Sequence, residues 1–421
     1  MIEDNSNTRT PIIRFQGFNG EWEKKKIGDI AIVLQGYGFP EKYQGQKYGD
    51  LPFCKVGDIS SAVDRGEMVI NKADNFVDYS LLPVLHAQPI PVGSTIFAKI
   101  GEAIRSNKRI RTGVPCLIDN NAAAVKSKGE ISDTFLFYLM SKVNLADYSG
   151  GIVPSVNKST IEAIDVLVPS SRDEQQKIAE CLEAIDQMIS AQNQKVESLK
   201  AHKKGLMQQL FPQSGETTPR LRFPGFTGKW QEKKLNKVFS RVTRKNAENN
   251  QNVLTISAQY GLISQLEFFK KSVASSDVTG YYLLHRGEFA YNKSSSQGRP
   301  VGAIKPLRLY DKGVVSTLYI CFKCNNPEEI DFWEQYFDAG ILDSEILSIA
   351  QEGARNHGLL NISTGDFFGL NVILPTPPEM KKIAECLFSF DDVITAAENE
   401  LDSLKAHKKG LMQQLFPQLQ K

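Results

Sequence analysis

The stretch SLKAHKKGLMQQLFPQ occupies residues 198–213 and recurs without a change at 403–418. An offset of 205 is far too long for a solenoid repeat, so whole domains are duplicated. KIAECL at 177–182 returns at 382–387 with the same offset. Near the start, Pro11-x-x-Arg14-Phe15-x-Gly17-Phe18-x-Gly20-x-Trp22 returns as Pro219-x-x-Arg222-Phe223-x-Gly225-Phe226-x-Gly228-x-Trp230. The chain therefore reads as two successive units, each a variable block followed by a near-invariant tail. Like tails suit one shared task and unlike blocks suit two different ones, although a recent duplication would also leave identical tails.

The tails read as long helices. Ile178, Leu182, Ile185, Ile189, Gln192, Val196, Leu199, Lys203, Leu206 and Leu210 follow a 4-3-4-3 spacing. Ile383, Leu387, Phe390, Ile394, Ala397, Leu401, Leu404, Lys408, Leu411 and Leu415 repeat it. That average of 3.5 is the coiled-coil period. Each run of about 38 residues predicts a rod of about 57 Å. Pro169 and Pro375 precede the rods, and Pro212 and Pro417 close them. Acidic first turns (Asp173, Glu174, Glu379) and basic last turns (Lys203, Lys204, Lys408, Lys409) suit the macrodipole. The two seams are the natural partners of each other; the alternative packs each helix on its own domain. Gly205 and Gly410 read either as points of close helix approach or as bends. Gln192, Lys203 and Lys408 either fix the register or mark where the seam opens to solvent.

Between the tags, short β-rich runs (Ile30–Leu34, Leu51–Val56, Thr95–Ile100, Val314–Phe322) alternate with Gly, Pro, Asn and Asp, and helices are expected at Asp133–Lys142 and Ile330–Ala339. The expected fold class is α/β: two mixed domains, 1–170 and 213–375, with repeated helices at 171–212 and 376–421. PQSGETTPR at 212–220 links the units.

Composition narrows the function. With 50 basic against 48 acidic residues there is no basic domain to advertise nucleic-acid binding in bulk, so any DNA contact must use local patches or borrowed charge. No run of eighteen apolar residues suggests a membrane span. The polar opening MIEDNSNTRTP and six scattered cysteines point to the cytoplasm. No phosphate loop, no Asp/Asn-Pro-Pro-aromatic motif and no His-Glu-x-x-His occurs, and Cys321-Phe-Lys-Cys324 lacks the second pair of a zinc ribbon. No cofactor, metal or catalytic residue is expected.

Two basic patches follow matched strands. Gly93-x-x-x-Phe97-x-Lys99 leads to Arg105-Ser-Asn107-Lys108-Arg109-Ile-Arg111. Gly287-x-x-x-Tyr291-x-Lys293 leads to Gln297-Gly-Arg299, with Lys305 and Arg308 beyond. Arg, Lys, Asn and Gln on Gly-rich loops suit phosphate anchoring and base-edge reading; solvated polar loops would look the same. Candidate DNA-contacting residues are Lys99, Arg105, Asn107, Lys108, Arg109 and Arg111, then Lys293, Gln297, Arg299, Arg355, Asn356 and His357.

The ordered duplication resembles the specificity subunits of type I restriction–modification systems. The residues carrying the resemblance are the Pro11–Trp22 and Pro219–Trp230 openings and GSTIFAKIG at 93–101, with GGIVPSVNKSTIEAIDVLVP at 150–169 running into DEQQKI. NISTGDFFGLNVILPTPPEMKKI is the second copy of that junction, with Met380 where Gln175 stands in the first. The resemblance implies two target recognition domains, each reading half of a bipartite, asymmetric double-stranded DNA site. It further implies antiparallel pairing of the repeated helices, an internal pseudo-two-fold and a DNA spacer set by the rods. Implied partners are two modification subunits, which carry adenine methylation, and ATP-driven restriction subunits. The competing readings are a coiled-coil scaffold for proteins or glycans and an enzyme with a hidden site; no catalytic constellation supports the latter.

Overall fold

The 4-3-4-3 stripe folds as two helices of 39 residues each, Arg172–Leu210 and Pro377–Leu415, in a computed structural model. The structure describes residues 9–257, 261–269, 277–294, 300–350, 358 and 360–417. The chain forms two units, one of residues 1–196 with 396–421, the other of residues 197–395. Each unit therefore contains a segment of both long helices.

Inside the first unit the segments run antiparallel. Gln192 Nε2 donates to the carbonyl of Ala397 at 2.9 Å, and Lys408 Nζ pairs with Asp186 at 2.5 Å. Tyr138 donates its hydroxyl to the other Asp186 oxygen at 2.8 Å. The second unit repeats the pairing: Lys203 meets Asp391 at 2.6 Å, and Gln335 Nε2 donates to the same carboxylate at 2.9 Å. Lys203 and Lys408 are equivalent at the repeat offset, as are Asp186 and Asp391. One register thus serves both units, and the seam lysines fix it. Packing of each helix on its own domain alone is set aside, because Met412, Leu415 and Phe416 lie in the core with Trp22, while Met207, Leu210 and Phe211 lie in the core with Trp230. Close approach does not account for Gly205 and Gly410. A Cβ built on either meets nothing within 4 Å, and nothing in the structure explains these glycines.

In the first unit the strands Ala31–Gln35, Ala122–Ser127, Thr95–Ala98, Arg109–Thr112 and Val69–Ile70 form a sheet in that order, antiparallel except for the last pair. A smaller sheet joins Phe76–Val77, Leu51–Cys54 and Leu117–Ile118. Helix Asp133–Lys142 is capped by Ser132 Oγ, which accepts from the Phe135 amide at 3.1 Å, and it buries Phe135 to Met140. In the second unit Phe239–Arg241, Ile320–Cys324, Phe289–Asn292 and Ala303–Pro306 form a four-stranded sheet in that order, the largest among that unit's described residues. Helix Ile330–Asp338 buries Phe332, Trp333, Tyr336 and Phe337.

The strand expected over Val314–Phe322 is two strands. Lys312–Val315 pairs with Tyr282–His285, and Ile320–Cys324 pairs with Phe289–Asn292. Ser316 divides them: its carbonyl accepts from the Tyr319 amide at 3.1 Å and its hydroxyl from the Leu318 amide at 3.3 Å. Such local Ser bonds compete with a sheet ladder. Cys321 and Cys324 fall in different core clusters, as strand alternation requires. Burial pushes their thiols up to about 12 and about 11.

The repeated opening motif builds the same joint twice. Arg14 Nε and Nη2 donate to the two Glu174 oxygens at 2.8 and 2.7 Å, and its Nη1 to the carbonyl of Gly20. Arg222 does the same with Glu379, at 2.7 and 2.8 Å, and with Gly228. Both carboxylates are only 1% exposed, so the bidentate geometry is needed to offset their desolvation. Trp22 also donates to Glu174 at 3.3 Å, whereas the buried Trp230 Nε1 has no partner among the described residues. Phe416 packs edge-on to Trp22 at 5.8 Å, and Phe211 edge-on to Trp230 at 6.3 Å. Strand pairs Glu23–Lys26 with Asp165–Val168, and Gln231–Lys234 with Asn371–Leu374, complete the joints. Phe416→Ala and Phe211→Ala should each lower stability by about 3–5 kcal/mol, read by urea denaturation of the full chain; losses below about 1 kcal/mol would contradict the tail's place in these cores.

Candidate nucleic-acid interface

The first basic patch hangs on a shaped loop. Strand Thr95–Ala98 runs into Lys99, then Gly101 at φ 82°, a 3-10 turn over Glu102–Ser106, and Asn107 at φ 50°. The left-handed region suits Gly and Asn, so the sequence fits this reversal into strand Arg109–Thr112. Turn 150–155 is tied alongside: the Gly101 amide donates to Pro154 at 2.8 Å, and the Val156 amide to Lys99 at 2.9 Å. The two family-like motifs are therefore neighbours in space. Ile152 and Val153 stand at the tip of that turn, 103% and 61% exposed. Sequence reasoning missed them because aliphatic residues usually signal core.

The six candidates of this patch divide sharply. Arg105 is exposed and holds only Glu102, at 3.0 Å. Lys108 pairs with Asp64 at 2.6 Å. Lys99 donates to Gln35 Oε1 at 2.7 Å, and partial burial lowers its pKa. Asn107 is committed at both ends: its amide donates to the carbonyl of Ser141 at 3.2 Å, and its oxygen accepts from Arg109 at 2.8 Å. Arg109 lies inside the unit, 7% exposed, with its guanidinium 4.7 Å from the Phe97 ring centroid. Burial without a carboxylate partner pushes its pKa down to about 9. Arg111 reaches Glu183 of the first long helix at 2.5 Å and Thr134 at 2.7 Å, over the Phe137 ring. It fastens sheet to helix.

In the second unit Gly287 at φ 86° precedes strand Phe289–Asn292, matching Gly93 at φ 81° before Thr95–Ala98. Lys293 Nζ donates to the carbonyl of Ile362 at 3.3 Å. Gln297, Arg299, Arg355, Asn356 and His357 lie outside the described residues. Lys305 and Arg308 are occupied by helix Ile330–Asp338: Lys305 holds Asp338 at 2.6 Å, and Arg308 holds Asp331 and Glu334 at 2.5 and 3.0 Å. Burial raises the Glu334 pKa, against those two cations. No described helix is long and apolar enough to cross a membrane.

Comparison with known proteins bears on this arrangement. Residues 19–201 match the family model of the type I restriction modification DNA specificity domain. The chain is 26% identical to the type I restriction enzyme MjaVIII specificity subunit of Methanocaldococcus jannaschii, covering 94% of this chain and 92% of that one. It is also 26% identical to the MjaIX specificity subunit of the same organism, over 42% of this chain and 41% of the relative. In fold it is similar to the S subunit of a type I restriction–modification system from M. genitalium, with a TM-score of 0.56 at 12% identity over 98% of this chain and all of that one. A chain from a structural study of complex assembly and conformational transition of the type I R-M system gives 0.51 at 14% identity, over 94% and 96% of the two chains. Over residues 19–201 the chain is similar to the type I restriction modification DNA specificity domain, and along most of its length it is similar to a specificity subunit of such a system. The scaffold reading finds no support in these matches.

Arg111→Ala leaves Glu183 without its partner and should cost about 1–2 kcal/mol. Arg105→Ala, at an exposed pair, should leave thermal melting unmoved. Equal shifts from both would contradict the division between fastening and surface-paired cations.

Proposed function

We propose that this chain is the DNA-reading subunit of a cytoplasmic type I complex and carries no chemistry of its own. Residues 1–170 and 213–375 act as two recognition domains, each reading one half of a bipartite, asymmetric site. Segments 171–212 and 376–421 set the spacer and receive two copies of an adenine-modifying subunit; ATP-driven restriction subunits join that core. The observation that carries this reading is the duplicated joint. Arg14–Glu174 and Arg222–Glu379 have matching geometry, while the sheets above them, among the described residues, differ in strand number and order. Like mountings under unlike heads suit two copies of one partner and two different half-sites.

In the first domain Lys99, Arg105 and Lys108 are the proposed direct DNA contacts, with Asn107, Arg109 and Arg111 holding the loop that presents them. The exposed pairs of Arg105 and Lys108 are weak enough to exchange a carboxylate for a phosphate. Lys293, Gln297, Arg299, Arg355, Asn356 and His357 are the proposed counterparts in the second domain.

Methylome sequencing of a host carrying this chain and its modification subunit tests the assignment. Exchanging 219–370 for another such block should change one half-site only, and inserting residues within a long helix should change the spacer. Two altered halves, or no methylation signature at all, would defeat it. In the assembled complex, Lys99→Ala, Arg105→Ala and Lys108→Ala should each weaken DNA binding and reduce the slope of log K against log salt by about 0.9. Unchanged slopes in all three would move the contacts elsewhere.

A further inference from the structure

A cavity of about 550 Å³ in the first unit adjoins the basic loop just described through Arg109 and Asp64, and is bounded by helix Asp133–Lys142 and segments of both long helices. Phe137, Ile189 and Met412 give it an apolar lining. Around that lining stand Arg109, Lys142, Lys405, Lys408 and Lys409. Three carboxylates share the wall, and all are taken. Asp186 holds Lys408 at 2.5 Å, Asp64 holds Lys108 at 2.6 Å, and Glu67 holds Arg65 at 2.6 Å. Arg109, Lys142, Lys405 and Lys409 have no carboxylate partner among the described residues.

Of those four, Arg109 is buried and Lys142 is half-buried. Arg109 is more than nine-tenths buried; its Nη atoms donate to Lys108, Asn107 and Val143, and its Nε has no hydrogen-bond partner among the described residues. Burial lowers the Lys142 pKa with no opposing charge. Uncompensated cations around an apolar wall are costly, and an anion seated among them would relieve that cost. The volume falls within the range that encloses small organic ligands. The lysines of the repeat are not the cause by themselves. Lys200, Lys203 and Lys204 occupy the same positions in the second unit; what the first unit adds is Arg109 and Lys142.

We propose that this cavity binds a phosphate-bearing small molecule of nucleotide size, its phosphates among Lys142, Lys405 and Lys409 and its apolar part against Phe137 and Met412. This inference stands apart from the DNA-reading assignment.

Titration calorimetry of the full chain at low salt with ATP, inorganic triphosphate and adenosine tests it. ATP should bind more tightly than triphosphate, and adenosine should give no measurable heat. Lys405→Ala with Lys409→Ala, both at exposed positions, should weaken ATP at least tenfold without changing the melting curve. Lys142→Gln should weaken it as well. The matched pair Lys200→Ala with Lys204→Ala should leave ATP binding unchanged. Absence of ATP binding at millimolar concentration, or an equal loss from the Lys200 and Lys204 pair, would overturn the proposal. So would displacement of ATP by a short duplex whose own affinity falls in the Lys405 and Lys409 variant, since the cations would then belong to a DNA path.

Discussion

Burial of Phe416 beside Trp22, and of Phe211 beside Trp230, is the constraint on which the architecture rests. Each aromatic ring comes from the end of a long helix and lies among core residues far from it in sequence. A fully buried Phe contributes several kcal/mol against its absence. The ring therefore anchors the helix end to that core, and the direction of the helix follows. Antiparallel pairing is the result, and Lys203–Asp391 and Lys408–Asp186 then select one register among the slides that apolar seams alone would allow.

The Arg–Glu pairs act beside these rings. Glu174 and Glu379 sit in the first turns of the long helices, where carboxylates are favoured, yet both are almost wholly buried. Their partners come from the start of each block. The link joins the two ends of a block at one point, so the loops between them can vary without disturbing how the block is mounted. Gln175 donating to the carbonyl of Pro169 at 2.9 Å, against Met380 buried among apolar side chains, shows one place where the copies solve the same local problem differently.

Much of this was legible in the sequence because it depends on periodicity. The 3.5-residue spacing survives in burial at Ile178, Leu182 and Val196 and at Ile383, Leu387 and Ala397. The matched Gly93 and Gly287 marked equivalent strands because both need the left-handed region. The burial of the basic residues was not legible. Arg109 and Arg111 alternate with Ile110 along one strand, so all three look like a half-exposed edge; in the fold, Ile110 enters one core cluster while helix Asp133–Lys142 and Glu183 cover the arginine face. A sheet covered on both sides leaves no polar face for sequence alternation to report. The Ser316 break was hidden for a related reason, since a hydroxyl bonding locally looks the same in sequence as one in a strand.

The identical tails have a consequence for shorter versions of the molecule. A chain ending just after residue 213 would lack Phe416 yet still carry the same ring, as Phe211, on the same sixteen residues. Two such halves would satisfy each other, Lys203 of one meeting Asp186 of the other and each supplying the aromatic plug its twin is missing. Among the contacts that would change is the one at the midpoint, where Gln192 now faces the small Ala397 and would instead face another Gln192. Under the proposed DNA-reading role, such a homodimer would present the same head twice, and so would favour a palindrome over an asymmetric target.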